Sequence, residues 1–277
     1  MPRRAVLVTF VLATAALLVA ARFVRVGPPP PQPTATTAHA PPGVEYRTYH
    51  FAAANKDMEY ALFVPSTYDK TRTWPLVVLL HGLAGTPRQI INLPSLTAAP
   101  ERHGYLLVAP MGYNERGWYG APIRRPRPGD PPNLSELSEQ DVMNVLAIVR
   151  RDYAVDDTRM YLAGYSMGGG GTWELGIKHP DLWAALAPVA PATRRPATDV
   201  ARVSHLPVIL VQGAKDEIVR PQWVRPWAHE MKHLGMTHEY LELSDATHWS
   251  VTDALPEVFK FFDKHTKPTT KTMPTVK

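Results

Sequence analysis

The sequence predicts an α/β domain in which a mostly parallel central sheet is flanked by helices. Its 277 residues are 45% hydrophobic and 20% charged, which is enough apolar material for one sizeable core. Short continuous apolar runs such as residues 75–80 are typical of strands buried on both faces. They alternate with helical patterns such as residues 138–151, where apolar residues recur every three or four positions. This alternation predicts parallel strands joined by helices.

The predicted strands begin with a hairpin and continue as short apolar segments. They lie at residues 44–51, 58–64, 75–80, 105–109, 159–164, 184–189, 207–212 and 238–243. Ligands of such sheets bind at the carboxyl ends of the strands. The unusual motifs of this chain follow those ends, so we expect a functional site at that edge.

The N-terminal residues 1–26 are typical of a targeting segment. Arg3 and Arg4 precede an uncharged, mostly apolar run at residues 5–21, as in a secretory signal peptide. A run of 17 residues is also at the lower limit for crossing a bilayer, so an uncleaved membrane anchor is the alternative. Either interpretation predicts an extracytoplasmic protein, secreted, periplasmic or anchored to a membrane.

The remaining chain divides by composition. Residues 27–43 are rich in Pro and Thr and predict a linker, and residues 264–277 form a basic tail. The predicted catalytic domain is residues 44–263. Outside that domain, four arginines near the N-terminus and four lysines in the tail account for the basic excess, leaving 22 basic against 25 acidic residues. This distribution argues against nucleic-acid binding, and the absence of Cys excludes disulfides and thiolate metal sites.

A single serine stands among glycines where an apolar strand meets a predicted helix. Residues 164–168 read GYSMG and match the pattern G-x-S-x-G in the strand-to-helix context that this motif requires. The tight turn exposes the Ser166 hydroxyl above the sheet, and glycines two residues before and after it avoid collisions. A helix N-cap serine in a Gly-rich turn is the alternative interpretation.

A serine hydroxyl becomes a good nucleophile only when a base removes its proton. Asp216 follows the strand that ends at residue 212, and His248 follows the last strand, in the order expected of this motif. Asp216 would orient and stabilise the imidazole of His248, which would take the proton from Ser166. Asp216 could instead be only a turn residue, with Glu217 or Asp245 as the acid.

The third motif is HGLAG at residues 81–85, directly after a predicted strand. Acyl transfer passes through an oxyanion that two backbone N–H groups can stabilise. We expect these to be the N–H groups of Leu83 and Met167. His81 is expected to brace the loop by hydrogen bonding. Neither a metal nor a cofactor is predicted.

These motifs, together with GAKDEIV and THWS, resemble the α/β-hydrolase superfamily, specifically its secreted feruloyl-esterase-like, polyhydroxybutyrate-depolymerase-like and predicted-peptidase branch. The resemblance spans about residues 75–263. It implies a serine hydrolase for carboxylic esters, with nucleophile Ser166, acid Asp216 and base His248. Peptide cleavage, acyl transfer by the same residues and a non-catalytic binding module remain the alternatives. The short stretch at residues 192–205 predicts that no large lid domain is present.

Residues 111–133 form the longest predicted irregular segment and follow a strand at the expected site edge. Trp118 in this segment and Trp249 beside the predicted base are candidate substrate contacts, since loops carry specificity in such scaffolds. Three arginines of the segment are interpreted as solvated charges, with contact to an acidic substrate as the alternative: Arg124, Arg125 and Arg127. The oligomeric state is not predicted.

Overall fold

The computed structural model describes residues 34–36, 40–94, 96–123 and 126–268. The predicted signal peptide or anchor lies outside these residues, as do most of the predicted linker, Arg124, Arg125 and the end of the basic tail. No helix in the described ranges is long and apolar enough to cross a membrane.

A nine-stranded sheet forms the centre of the described chain. Its strands are β1 Thr34–Thr36, β2 Val44–Phe51, β3 Lys56–Phe63, β4 Trp74–Leu80, β5 Leu106–Pro110, β6 Val155–Tyr165, β7 Ala185–Val189, β8 Val208–Gly213 and β9 His238–Leu243. The spatial order is β1-β2-β3-β5-β4-β6-β7-β8-β9. The pairs β1–β2, β2–β3 and β3–β5 are antiparallel, and the other pairs are parallel.

Helices cover both faces of the sheet. They are α1 Pro87–Ile91, α2 Ala98–His103, α3 Leu134–Asp152, α4 Met167–Lys178, α5 Pro221–His233 and α6 Leu255–Phe262. Alternate residues of β4 face opposite sides, so Leu76 and Val78 belong to one apolar cluster and Val77 to the other. Buried residues of α3, α4 and α5 complete the first cluster, and those of α1, α2 and α6 complete the second.

The predicted strands and the predicted helix at residues 138–151 are present, with small changes at their ends. One strand was not predicted: β1 lies within the predicted linker and forms because its backbone pairs with the edge of β2. Helix α3 begins one turn before the predicted residue 138, because Leu134 and Leu137 are buried and extend its apolar stripe. Strand β6 begins at Val155, which pairs with Trp74, and not at residue 159. The mostly parallel sheet without a large lid domain is the predicted fold class. Its parallel strands bring the ends of β4, β6, β8 and β9 to one edge.

Candidate functional site

The structure brings the side chains of Ser166, Asp216 and His248 together at that edge. Ser166 follows β6, Asp216 follows β8 and His248 follows β9. Nε2 of His248 lies 3.0 Å from Oγ of Ser166, and Nδ1 lies 2.7 Å from Oδ2 of Asp216. All three residues are buried. Ser166, which was expected to stand exposed above the sheet, is 8% exposed because the His248 ring lies against its hydroxyl. The imidazole therefore connects the hydroxyl to the carboxylate within a site that excludes most water.

The Asp216 carboxylate is oriented by the turn after β8. Its Oδ1 accepts hydrogen bonds from the backbone N–H groups of Ile218 and Val219, at 2.9 and 2.8 Å. The amide of Gln212 lies 3.4 Å from Oδ2 and also donates to the carbonyl oxygen of Val219 at 2.9 Å. With Oδ1 occupied, Oδ2 is left to face the N–H of His248.

The two alternative acids lie away from the imidazole. Glu217 is exposed to solvent. Asp245 is exposed as well, and its carboxylate binds the ammonium group of Lys215 at 2.6 Å. Among the three candidate carboxylates, the one facing His248 is that of Asp216.

The backbone at Ser166 forms a strained strand-to-helix turn. Its φ of 56° and ψ of −115° lie outside the regions that side-chain-bearing residues favour, and its N–H donates to the carbonyl oxygen of Val189 at 2.9 Å. A Cβ at Gly164 would lie 2.2 Å from the carbonyl oxygen of Gly168, and one at Gly168 would lie 2.1 Å from that of Leu80. The glycines predicted to flank the serine are thus required by close backbone contacts.

Two backbone N–H groups near Ser166 have no acceptor within the described residues. They belong to Met167, the first residue of α4, and to Leu83, in the loop after β4. The neighbouring N–H of Ala84 donates to the carbonyl oxygen of Glu115 at 2.9 Å, and Ala84 has a positive φ of 62°. The loop is therefore held in one conformation while its Leu83 N–H remains available to a ligand.

His81 braces this loop from inside the protein. Its Nδ1 lies 2.8 Å from the carbonyl oxygen of Gly82, and its Nε2 lies 2.8 Å from that of Met111. Burial lowers the pKa of His81. The Tyr119 hydroxyl donates to the carbonyl oxygen of His81 at 3.1 Å. Contacts from residues 111–119 thus hold the strand end that leads to Leu83.

Asp141 on α3 in turn holds Gly112 and Tyr113, a role that was not predicted from the sequence. Its Oδ1 accepts a hydrogen bond from the Tyr49 hydroxyl at 2.5 Å. Its Oδ2 accepts from the N–H groups of Gly112 at 2.7 Å and Tyr113 at 3.3 Å. Burial raises the pKa of Asp141 to about 6. The available signal was its position four residues before Val145, on the buried face of the helix.

The chain is similar to known esterases in sequence and in fold. Residues 140–267 match the family model described as PET hydrolase-like. Cutinase 2 of Thermobifida cellulosilytica is 34% identical over 65% of this chain and 63% of its own length. Feruloyl esterase B of Neurospora crassa is 27% identical over 42% of this chain and 39% of its own. A solved thermostable esterase has a TM-score of 0.64 at 23% identity and covers 81% of this chain and 64% of its own.

The described chain has the α/β-hydrolase fold. The resemblance to esterases of this fold, predicted from the motifs, is confirmed. The chain spans less than two thirds of the length of the two curated relatives.

A pocket of about 470 Å³ opens beside the Ser166 turn. Leu83, Trp118 and Arg127 are among the residues that line it. Trp118, a candidate substrate contact in the sequence analysis, therefore lines a cavity next to Ser166. Trp249 is 71% exposed, and its ring packs edge-on against His248 with centroids 5.5 Å apart. Its predicted contact with substrate stays a prediction.

Proposed function

We propose that this protein is a serine hydrolase that cleaves carboxylic esters through an acyl-enzyme on Ser166. The observation that carries the proposal is the unbroken hydrogen-bonded connection from Ser166 through His248 to Asp216, at 3.0 and 2.7 Å. The esterases among its relatives support the same class of reaction.

In the first half of the reaction, Oγ of Ser166 attacks the carbonyl carbon of the ester. Nε2 of His248 takes the hydroxyl proton as the new C–O bond forms, and the Asp216 carboxylate stabilises the imidazolium. The tetrahedral intermediate then collapses. The bond to the alcohol oxygen breaks, His248 returns the proton to that oxygen, and the acyl group remains on Ser166.

In the second half, water attacks the acyl-enzyme while His248 acts again as the base. Nε2 of His248 takes a proton from the water and passes it to Oγ of Ser166 as the acyl–oxygen bond breaks, and the carboxylic acid leaves. In both halves the negative charge collects on the former carbonyl oxygen. The N–H groups of Leu83 and Met167, which lack an acceptor among the described residues, would donate to that oxygen and stabilise it by several kcal/mol.

We further propose that residues 44–263 act outside the cytoplasm. Support comes from the charged and apolar pattern of residues 1–26, which is typical of an exported or membrane-anchored protein. Fractionation of cells that express the full chain, with sequencing of the mature N-terminus, distinguishes a cleaved signal peptide from a retained anchor. Recovery of the intact protein in the cytoplasm would contradict this part of the proposal.

The test of the chemistry is covalent labelling with a fluorophosphonate, followed by a substrate panel. The wild-type chain should label once, and Ser166→Ala should fold but not label. Release of 4-nitrophenol from short-chain 4-nitrophenyl esters, compared with cleavage of matching 4-nitroanilides, separates an esterase from a peptidase. A folded wild-type protein that neither labels nor cleaves any ester would refute the proposal and favour a non-catalytic module.

A further inference from the structure

We propose that the pocket beside Ser166 binds a carboxylate carried by the substrate, so that the preferred esters are anionic. This inference rests on the proposed ester hydrolysis and specifies its substrate class. Two observations support it. The pocket lies beside Ser166, and only some of its charged side chains are paired with each other.

The pocket is built directly on the nucleophile's backbone. The N–H groups of Gly170 and Ala192 both donate to the carbonyl oxygen of Ser166, at 3.0 and 2.9 Å, and both residues line the pocket. A Cβ at position 170 would lie 2.1 Å from the carbonyl oxygen of Ala192, so only glycine permits this close packing. Leu83, which carries a proposed oxyanion donor, lines the same pocket. One part of an ester whose carbonyl group is at Ser166 therefore extends into this cavity.

The acidic side chains of the pocket are neutralised by two of its arginines. Arg195 donates to Glu174 at 2.7 and 2.9 Å and to Asp199 at 2.6 Å. Arg116 donates to Asp130 at 2.8 and 3.1 Å. The side chains of Glu174 and Asp130 are 3% and 2% exposed, so these are largely dehydrated pairs of fixed geometry. An entering anion does not meet an uncompensated carboxylate there.

Two further arginines of the pocket have no such partner. Arg127 and Arg194 line the cavity and are exposed, and neither guanidinium lies within salt-bridge distance of a side-chain carboxylate in the described ranges. Those ranges contain every Asp and Glu of the chain. The backbone N–H of Arg127 donates to Asp130 at 2.7 Å, which fixes the start of its side chain. A guanidinium presents paired N–H donors that match a carboxylate.

The other lining residues are suited to an apolar segment of the substrate. Trp118, Ile123 and Leu83 contribute aromatic and aliphatic surface to the same pocket. The pocket therefore fits an ester with an apolar segment that ends in a carboxylate, either a half-ester of a dicarboxylic acid or an acyl ester of a hydroxy acid.

The experiment compares matched anionic and neutral esters with the full chain. One series consists of monomethyl esters of dicarboxylic acids with four to ten carbons, and the other of acetyl esters of hydroxy acids. Each compound is paired with the derivative in which a carboxamide replaces the free carboxylate. In at least one series we expect kcat/KM to be about tenfold higher for the anion, mainly through a lower KM. Equal or lower kcat/KM for the anions in both series would overturn the inference.

Variants identify the groups responsible. Arg127→Gln and Arg194→Gln should each raise KM for the preferred anion several-fold, and the double variant should abolish the preference over the amide. Arg102→Gln is the matched control, because Arg102 is also exposed but lies in the last turn of α2, before β5 and at the opposite edge of the sheet. A preference that survives in the double variant would contradict the assignment.

Two further measurements separate this inference from the proposed function. Raising the salt concentration from about 0.02 to 0.5 M should raise KM for the anion and leave KM for its amide unchanged, since screening weakens exposed charge pairs. The wild type and Arg102→Gln should show equal fluorophosphonate labelling and equal hydrolysis of 4-nitrophenyl acetate. Loss of labelling in the wild-type protein would refute the ester hydrolase itself, whereas normal labelling without anion preference would refute only the role of the pocket.

Discussion

The side chains around Ser166 and the segment 111–133 that walls the neighbouring pocket are held in different ways. Ser166, Asp216 and His248 each follow a strand of one sheet, and their positions depend on strand pairing and on backbone hydrogen bonds. Among its described residues, the wall segment contains one short helical turn, at Trp118–Gly120. Its backbone N–H groups at Gly112 and Arg127 donate to the carboxylates of Asp141 and Asp130, which hold its conformation.

Because of this difference, substitutions that affect the reaction and substitutions that affect substrate selectivity should fall in different regions. Changes to the reacting groups should remove the reaction and leave the fold intact, because the sheet positions them independently of their own side chains. Changes to the groups that hold the wall should alter how well substrate and oxyanion are positioned. Changes to the wall itself should alter only which esters are accepted.

The largest effect is expected from Asp216→Asn. An asparagine can still accept the N–H groups of Ile218 and Val219, but its amide would favour the wrong tautomer of His248. We expect kcat for 4-nitrophenyl acetate to fall by about 10⁴-fold with little change in the melting temperature. Asp245→Asn serves as the control and should retain wild-type kcat. If Asp245→Asn were the inactive variant, the assignment of the acid would be wrong.

Most of the fold could be predicted from the sequence because its signals are local, and so could the meeting of Ser166, Asp216 and His248 at one sheet edge. Strands such as β4 are buried on both faces and therefore form continuous apolar runs. The turn at Ser166 needs glycines at 164 and 168, where no Cβ fits, and that requirement appears in the sequence as a spaced motif. The expected chain order of serine, acid and histidine then located the partners.

The contacts of Asp141, unlike those of His81, could not be predicted in the same way. The contact between Asp141 and the N–H of Gly112 joins residues 29 positions apart, and no local pattern encodes it. The pairing of Arg195 with Glu174 depends equally on how α4 packs against the following segment. Such contacts depend on tertiary packing, so composition and periodicity do not reveal them.

The next largest effect is expected from Asp141→Asn, which tests whether the wall supports the oxyanion loop. The Asp141 carboxylate accepts three hydrogen bonds. An asparagine has only one acceptor oxygen, and its NH2 group would face groups that are themselves donors. We expect kcat to fall by about 100-fold with a small change in KM, since the Leu83 N–H would shift. Unchanged kcat in a correctly folded variant would show that residues 111–113 do not position the loop.

The same variant should change how stability depends on pH. Because burial raises the pKa of Asp141 to about 6 in the folded protein, the folded state binds this proton more tightly than the unfolded state does. This contribution to stability is present below about pH 4 and is lost as the pH rises through 6. Between pH 4 and 7 the wild type should lose up to about 3 kcal/mol relative to Asp141→Asn, measured by urea unfolding. Parallel stability curves would contradict the raised pKa.

A smaller and selective effect is expected from Trp118→Ala. Removing the indole from the pocket should lower kcat/KM about tenfold for 4-nitrophenyl esters with a bulky acyl group and leave the acetyl ester unchanged. Trp223→Ala is the control, because Trp223 is 58% exposed and is not among the pocket-lining residues. An equal loss for all esters would indicate that Trp118 supports the structure and does not contact substrate.

The smallest effect is expected from Tyr165→Phe, which tests how strongly the backbone around the reacting groups depends on one side chain. The Tyr165 hydroxyl donates to the carbonyl oxygen of His248 at 2.8 Å, and its ring packs near the imidazole. Loss of this single bond should lower kcat about threefold to tenfold and leave KM unchanged. Tyr161→Phe removes a comparable bond, to the carbonyl oxygen of His265, from the same strand four residues earlier. Tyr161→Phe should reduce the melting temperature without reducing kcat. An equal loss of kcat in both variants would mean that the reacting groups depend on the overall stability of β6 and not on the Tyr165 hydrogen bond.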